Sequence, residues 1–219
     1  MNYELSEIPY TSDNPVIYMD IGLSDNLMGR IHITLFRDVF PAGVENFVHI
    51  AKGDTYRTIK QGVGEYTFYK QIRRTYDGCL FFEKKHDNYV ISGDIYKNTG
   101  ESSGTIYCDN PIPPQLGKYF YDNDKIGLVS LVPFTDEESG EKYYDSVFMI
   151  TLQDASSTNL LKHIDSDHIV IGTITNGIEI IKKMNDMIVP FAGRKQPEFR
   201  IIKSGLYRTN ATTKTRKIN

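Results

Sequence analysis

Few residues in this chain could carry reaction chemistry, and they are scattered. The histidines are His32, His49, His86, His163 and His168, and the cysteines are Cys79 and Cys108. A metal site needs such ligands at short, repeated spacings, and none of these has a cysteine, histidine or carboxylate partner at ligand spacing. No Gly-x-Ser-x-Gly elbow appears to activate a serine. Gly62-Val63-Gly64 stops short of a phosphate-cradling loop. Hydrolase, nucleotide and metal chemistry are therefore not expected, and neither is a metal or organic cofactor. Two thiols without CxxC spacing read as free cysteines in a reducing compartment, so the expected location is intracellular and cytoplasmic.

The 25 basic residues nearly balance the 28 acidic ones, for a formal net charge of -3. Such a balance lacks the electrostatic footprint of a nucleic-acid binder. Residues 1–13 carry Glu4, Glu7 and Asp13 without an apolar run and read as an N-terminal extension rather than a leader. No stretch reaches the roughly 18 apolar residues of a spanning helix, so no membrane partner is expected. Residues 208–219, with Lys214, Arg216 and Lys217 among threonines and asparagines, read as a disordered basic tail. One domain over residues 14–207 remains.

Short β-branched and aromatic runs must position whatever site exists. They are Val16–Met19, Ile31–Phe36, Tyr89–Ile91, Leu128–Leu131, Val147–Ile150 and Ile169–Ile171. Two helices interrupt them. The first opens at Pro41, repeats Val44, Phe47, Val48 and Ala51, and stops at Gly53. The second is expected to start at Asn176 as its N-cap, with Ile178, Ile181 and Met184 on one face. So many strands around one core close into a barrel or pair as a sandwich.

Order and spacing then suggest a family. Asn14-Pro15-Val16-Ile17-Tyr18-Met19-Asp20-Ile21, Gly29-Arg30-Ile31, Glu45-Asn46-Phe47, Tyr76-Asp77-Gly78, Gly93-Asp94, Gly127-Leu128-Val129-Ser130 and His168-Ile169-Val170-Ile171-Gly172 resemble the cyclophilins. The resemblance runs from about Asn14 to Gly205. It implies an all-β fold, an eight-stranded antiparallel barrel capped by two α-helices, with an outer cleft that binds X-Pro segments of proteins or peptides.

In that family an arginine donates a hydrogen bond towards the proline nitrogen and weakens the delocalisation that gives the peptide bond its barrier of roughly 18–20 kcal/mol. The family's Phe-His-Arg aligns here with Phe81-Phe82-Glu83. A carboxylate only accepts, so Glu83 reverses the sign of the needed interaction. The same ungapped count puts Asn88 and Tyr89 at pocket positions, Ile91 at a positioning glutamine and Val147 at another. Phe81, Val132, Met149, His163, Ile164 and His168 remain as peptide-binding candidates. His168 either contacts a peptide carbonyl or satisfies a backbone group at the barrel edge.

Two lengthened connections stand out against the family pattern. Residues 54–75 carry Lys60, Lys70, Arg73 and Arg74 among Tyr56, Tyr66, Phe68 and Tyr69, while residues 135–144 carry Asp136, Glu137, Glu138 and Glu141. They are solvated loops, or surfaces through which the chain forms a homo-oligomer or docks a partner. Usage rich in tyrosine, isoleucine, asparagine and lysine suits an AT-rich genome such as that of a large DNA virus, which adds the virion as a second location. The expected function is a protein-binding module with a degenerate isomerase site. The rivals are an active prolyl isomerase using substitute residues and an assembly protein acting through its added loops.

Overall fold

The computed structural model describes residues 14–62, 66–101, 103–114, 121–156, 160–164, 167–190 and 193–207, except for the side chains of residues 162 and 163. The expected N-terminal extension and basic tail lie outside these. Along the chain run β1 (Val16–Leu23), β2 (Asn26–Leu35), α1 (Pro41–Lys52), β3 (Thr55–Gln61), β4 (Phe68–Arg74), β5 (Glu83–Lys85) and β6 (Tyr89–Ser92). Then follow β7 (Leu128–Leu131), β8 (Phe134–Thr135), β9 (Lys142–Tyr143), β10 (Phe148–Thr151), β11 (Ile169–Asn176), α2 (Ile178–Met187) and β12 (Phe199–Leu206). Among the described residues no helix is long and apolar enough to cross a membrane.

Eight strands form one antiparallel sheet in the order β12-β1-β2-β11-β7-β10-β6-β5. The sheet curls until its ends meet. Ile201 N–H donates to Cys79 O at 2.8 Å and Phe81 N–H to Phe199 O at 3.0 Å, laying the approach to β5 along β12. The sequence follows from the curl, because one face of each strand must fill the interior. Ile17, Met19 and Ile21 of β1 and Ile31, Ile33 and Leu35 of β2 are all fully buried.

Helix α1 begins with Pro41 at its first turn, where the missing N–H costs nothing. It ends at Gly53, whose left-handed conformation returns its N–H to His49 O and Ile50 O. Val44, Phe47, Ile50 and Ala51 are buried. Phe47 meets Tyr76 at 4.9 Å and Phe148 at 5.1 Å between ring centroids, which ties α1 to β10.

Two expectations need correction. Asn176 is not the N-cap of α2, because it ends β11, its side chain lies 3.2 Å from the His32 ring, and Gly177 takes the cap position at φ 86. A Cβ on Gly177 would sit 2.4 Å from Arg30 O, so the close approach of the helix start to β2 demands glycine. Residues 54–75 are not an open loop either, since β3 and β4 pair from Thr55↔Arg74 to Gln61↔Phe68. Most of the hairpin is exposed, so no inside-outside alternation marked it as strand.

Chemical denaturation tests the role of Gly177. Gly140→Ala, at φ 70 with nothing within 4 Å of a new Cβ, should cost about 1 kcal/mol of left-handed strain. Gly177→Ala adds a backbone clash and should cost at least about 2 kcal/mol. Equal losses would show that the approach to Arg30 is not a constraint.

Candidate functional site

Register on the closed sheet decides which side chains share its outer face. Glu83 pairs with Ile91, and Ile91 pairs with Met149. One residue along, Val90 and Ile150 point inward and are fully buried. Glu83, Ile91 and Met149 therefore form a row on the outside, followed by Lys85, Tyr89 and Thr151. Lys84 turns the other way and donates from Nζ to Phe81 O at 2.5 Å. Burial lowers its ammonium pKa, and the charge of Glu198 opposes that shift.

An open groove of about 450 Å³ lies beside this row. Ile91, Val132, Pro133, Phe134 and Val147 supply apolar lining, and Glu83, Glu101 and Asp145 supply carboxylates. Asp94, largely buried, positions the wall that carries Gly100 and Glu101. Its carboxylate accepts backbone N–H bonds from Tyr96, Lys97, Thr99 and Gly100 at 2.8–3.1 Å. Burial works to raise that carboxyl's pKa, yet the donors together hold it below the ordinary value.

Glu83 and Tyr89 partner each other, and the neighbouring polar groups find partners of their own. Tyr89 Oη donates to Glu83 Oε1 at 2.9 Å, and the phenol is pushed up to about 12, by burial first and by that carboxylate second. Asn88 donates to His86 O at 2.8 Å, and its Oδ1 accepts from Leu160 N. It thereby pins the 3-10 turn Leu160–His163 to the β5–β6 turn. Asp145 accepts from Ser103 Oγ and from Val147 N, the latter at 2.8 Å. Burial raises its carboxyl, the two donors oppose that, and the charge of Asp94 adds to it.

The expected site is thus split. Glu83, Ile91, Val147 and Val132 come together in the groove, whereas Asn88 and Tyr89 stand off its lining. Phe81 is 1% exposed and packs in the central core, so it offers no surface to a peptide. Met149 and Leu161, which would seat a proline ring, are 1% and 4% exposed. Ile164 and His168 are half-buried and line no part of the groove, and the side chain of His163 lies outside the described residues. Glu101, Ser103 and Asp145 were missed, because their carboxylates and hydroxyl reach the groove from loops that no periodicity marks.

Asp136 folds back on its own turn by accepting from Ser139 N at 2.8 Å, and of the short β8–β9 hairpin only Phe134 lines the groove. In the basic hairpin, Arg73 donates to Gly53 O and Lys52 O, while Arg74 is buried against Asp109. These two arginines fasten the hairpin to the body. Tyr56, Tyr66, Phe68 and Tyr69 are its exposed aromatic residues.

Residues 18–206 match the family model for the cyclophilin-type peptidyl-prolyl cis-trans isomerase. The chain is 53% identical to the structural PPIase-like protein of Acanthamoeba polyphaga mimivirus, over 94% of this chain and 88% of that one. It is 26% identical to the NK-tumor recognition protein of Mus musculus, covering 91% of this chain but only 12% of that much longer protein. The crystal structure of the mimivirus cyclophilin superposes with a TM-score of 0.78 at 50% identity, covering 94% of this chain and 96% of that one.

Titration of Tyr89 by NMR of labelled tyrosine rings checks the pair at the heart of the site. The midpoint should lie near 12 and move towards the ordinary value of about 10 in Glu83→Gln, with burial keeping part of the shift. Because the folded pKa exceeds the unfolded one, the stabilisation is complete below about pH 10 and fades as pH rises to about 12. An unmoved midpoint in Glu83→Gln would show that the carboxylate does not hold the phenol.

Proposed function

The chain belongs to the cyclophilin-type peptidyl-prolyl cis-trans isomerase family, and within it we propose that this protein is a protein-binding module with little or no isomerase activity. One observation carries this reading. At the family's arginine position stands Glu83, a carboxylate already engaged by Tyr89. It has no proton to donate to a proline nitrogen, and its charge opposes rather than assists the polarisation that rotation needs. Ile91 and Val147 replace the neighbouring polar positioners with side chains that cannot hydrogen-bond. The near-complete burial of Met149 and Leu161 also removes the surface on which a proline ring would settle.

A second reading, assembly through the added loops, is favoured by the β3–β4 hairpin. Tyr66 and Tyr69 there are 87% and 72% exposed, which leaves ring surface that a contact could cover. The word "structural" in the mimivirus relative's name supports the same reading. We include in this proposal a homo-oligomer formed through residues 54–75 and 135–144, and residence in the cytoplasm or the virion. The two unbonded cysteines support the cytoplasm: Cys79 is buried, with its thiol pushed up to about 12 by burial, and Cys108 is exposed.

A protease-coupled proline isomerisation assay should give rates near the uncatalysed background, at least about 100-fold below a family member with the arginine. Glu83→Arg alone should restore little, because Tyr89, Ile91 and Val147 still occupy the outer row. Ordinary family activity in the unaltered protein would overturn the binding-module reading.

Association should be visible by light scattering as a particle heavier than 25 kDa at low salt. The screening length falls from about 10 Å at 0.1 M to about 3 Å at 1 M, so a charge-dependent contact should loosen at high salt. Lys60→Glu with Lys70→Glu should act like salt. A monomer under all conditions would leave the hairpin without this role.

A further inference from the structure

We propose that the groove beside Glu83 takes extended partner segments that carry a lysine or arginine flanked by apolar residues. The inference rests on the binding-module reading and specifies what such a module recognises. Several carboxylates elsewhere on the surface pair with a cation: Asp20 with Arg30, Asp54 with Lys52, Asp109 with Arg57 and Arg74, and Asp167 with Lys142. The carboxylates of the groove do not. Glu83 and Asp145 are held by neutral donors, the Tyr89 and Ser103 hydroxyls and the Val147 N–H. With other described residues, neither they nor Glu101 form an ion pair, and no lysine, arginine or histidine lines the groove. Its negative field is therefore left uncompensated over an apolar floor.

The shape of the occupant follows from this lining. Among the described residues no three histidine, cysteine or acidic side chains cluster closely enough to hold a metal ion, so a compact cation does not fit the spread of charge. A lysine or arginine does, because its methylene stem covers apolar surface while its head reaches a carboxylate. Flanking apolar side chains would cover Val132, Phe134 and Val147. The occupant is a segment of another protein, and the chain's own basic residues 208–219 are the rival that the peptide set separates from it.

Fluorescence anisotropy on the full chain tests this with labelled pentapeptides of one frame, acetyl-Ala-Leu-X-Val-Ala, where X is lysine, glutamine, glutamate or proline. A synthetic peptide of residues 208–219 completes the set. At 50 mM salt the lysine peptide should bind about tenfold more tightly than the glutamine one, with the gap closing at 500 mM salt. Glu83→Gln and Glu101→Gln should each narrow the gap at least about threefold while leaving thermal melting in place. Equal binding of the lysine and glutamine peptides, or tightest binding of the proline peptide, would overturn the charge inference while leaving a peptide-binding protein. Tightest binding of the 208–219 peptide would overturn the assignment to a partner. Binding of none of the peptides would overturn the module reading itself.

Discussion

Three rings hold the architecture on which the site depends. Phe47 on α1, Tyr76 ahead of β5 and Phe148 on β10 pack with centroids 4.9–5.2 Å apart, two of the pairs edge to face. Tyr76 also donates its hydroxyl to Ser146 O at 3.1 Å, so the polar end of a fully buried ring is satisfied. With Phe148 locked inward, Val147 and Met149 must face outward. The same inward anchoring of Val90 by the core sends Tyr89 and Ile91 to the outer face. The groove's apolar half is thus a consequence of core packing, read on the opposite side of the same strands.

Given that frame, the outer row can change without unfolding the sheet. Substitution at the partly exposed Glu83, Lys85 and Tyr89 removes little core volume, so the cavity terms that make inner changes costly are small there. The new residues must still satisfy their polar atoms. Glu83 and Tyr89 do so mutually, and Asn88 does so by bonding to Leu160 N and His86 O. A carboxylate beside a half-buried phenol is a stable arrangement at neutral pH, and one that no longer presents a donor. The substitutions in the outer row and the preservation of the fold follow from one separation, between residues facing the core and residues facing solvent.

The sequence was legible where that separation was sharp. β1, β2, β6, β7, β10 and β11 alternate or run apolar because one face fills the barrel, and α1 announces itself with Pro41 and Gly53. The β3–β4 hairpin was not legible as strand because neither of its faces is consistently buried. Asn176 misled because cap preference is local, whereas the approach of Gly177 to Arg30 is made by tertiary packing. Within the site, Glu83, Ile91 and Val147 could be found by counting from Phe81. Phe81 itself was misplaced, since an alignment records position and not burial. Glu101 joins the groove from the 94–101 loop, which Asp94 folds by gathering four backbone N–H groups.

Asp145 shows how the groove can afford its charge. A carboxylate 7% exposed would ordinarily be expensive, and burial does raise its proton affinity. Ser103 and the Val147 N–H offset that cost without adding positive charge, because each supplies a dipole rather than an ion. An internal lysine in their place would have stabilised the carboxylate more strongly, and would also have cancelled its field at the groove. Solvation by neutral donors keeps the charge and leaves its field directed outward. Where the family places a fixed cation beside the peptide bond, this groove holds carboxylates solvated by neutral donors.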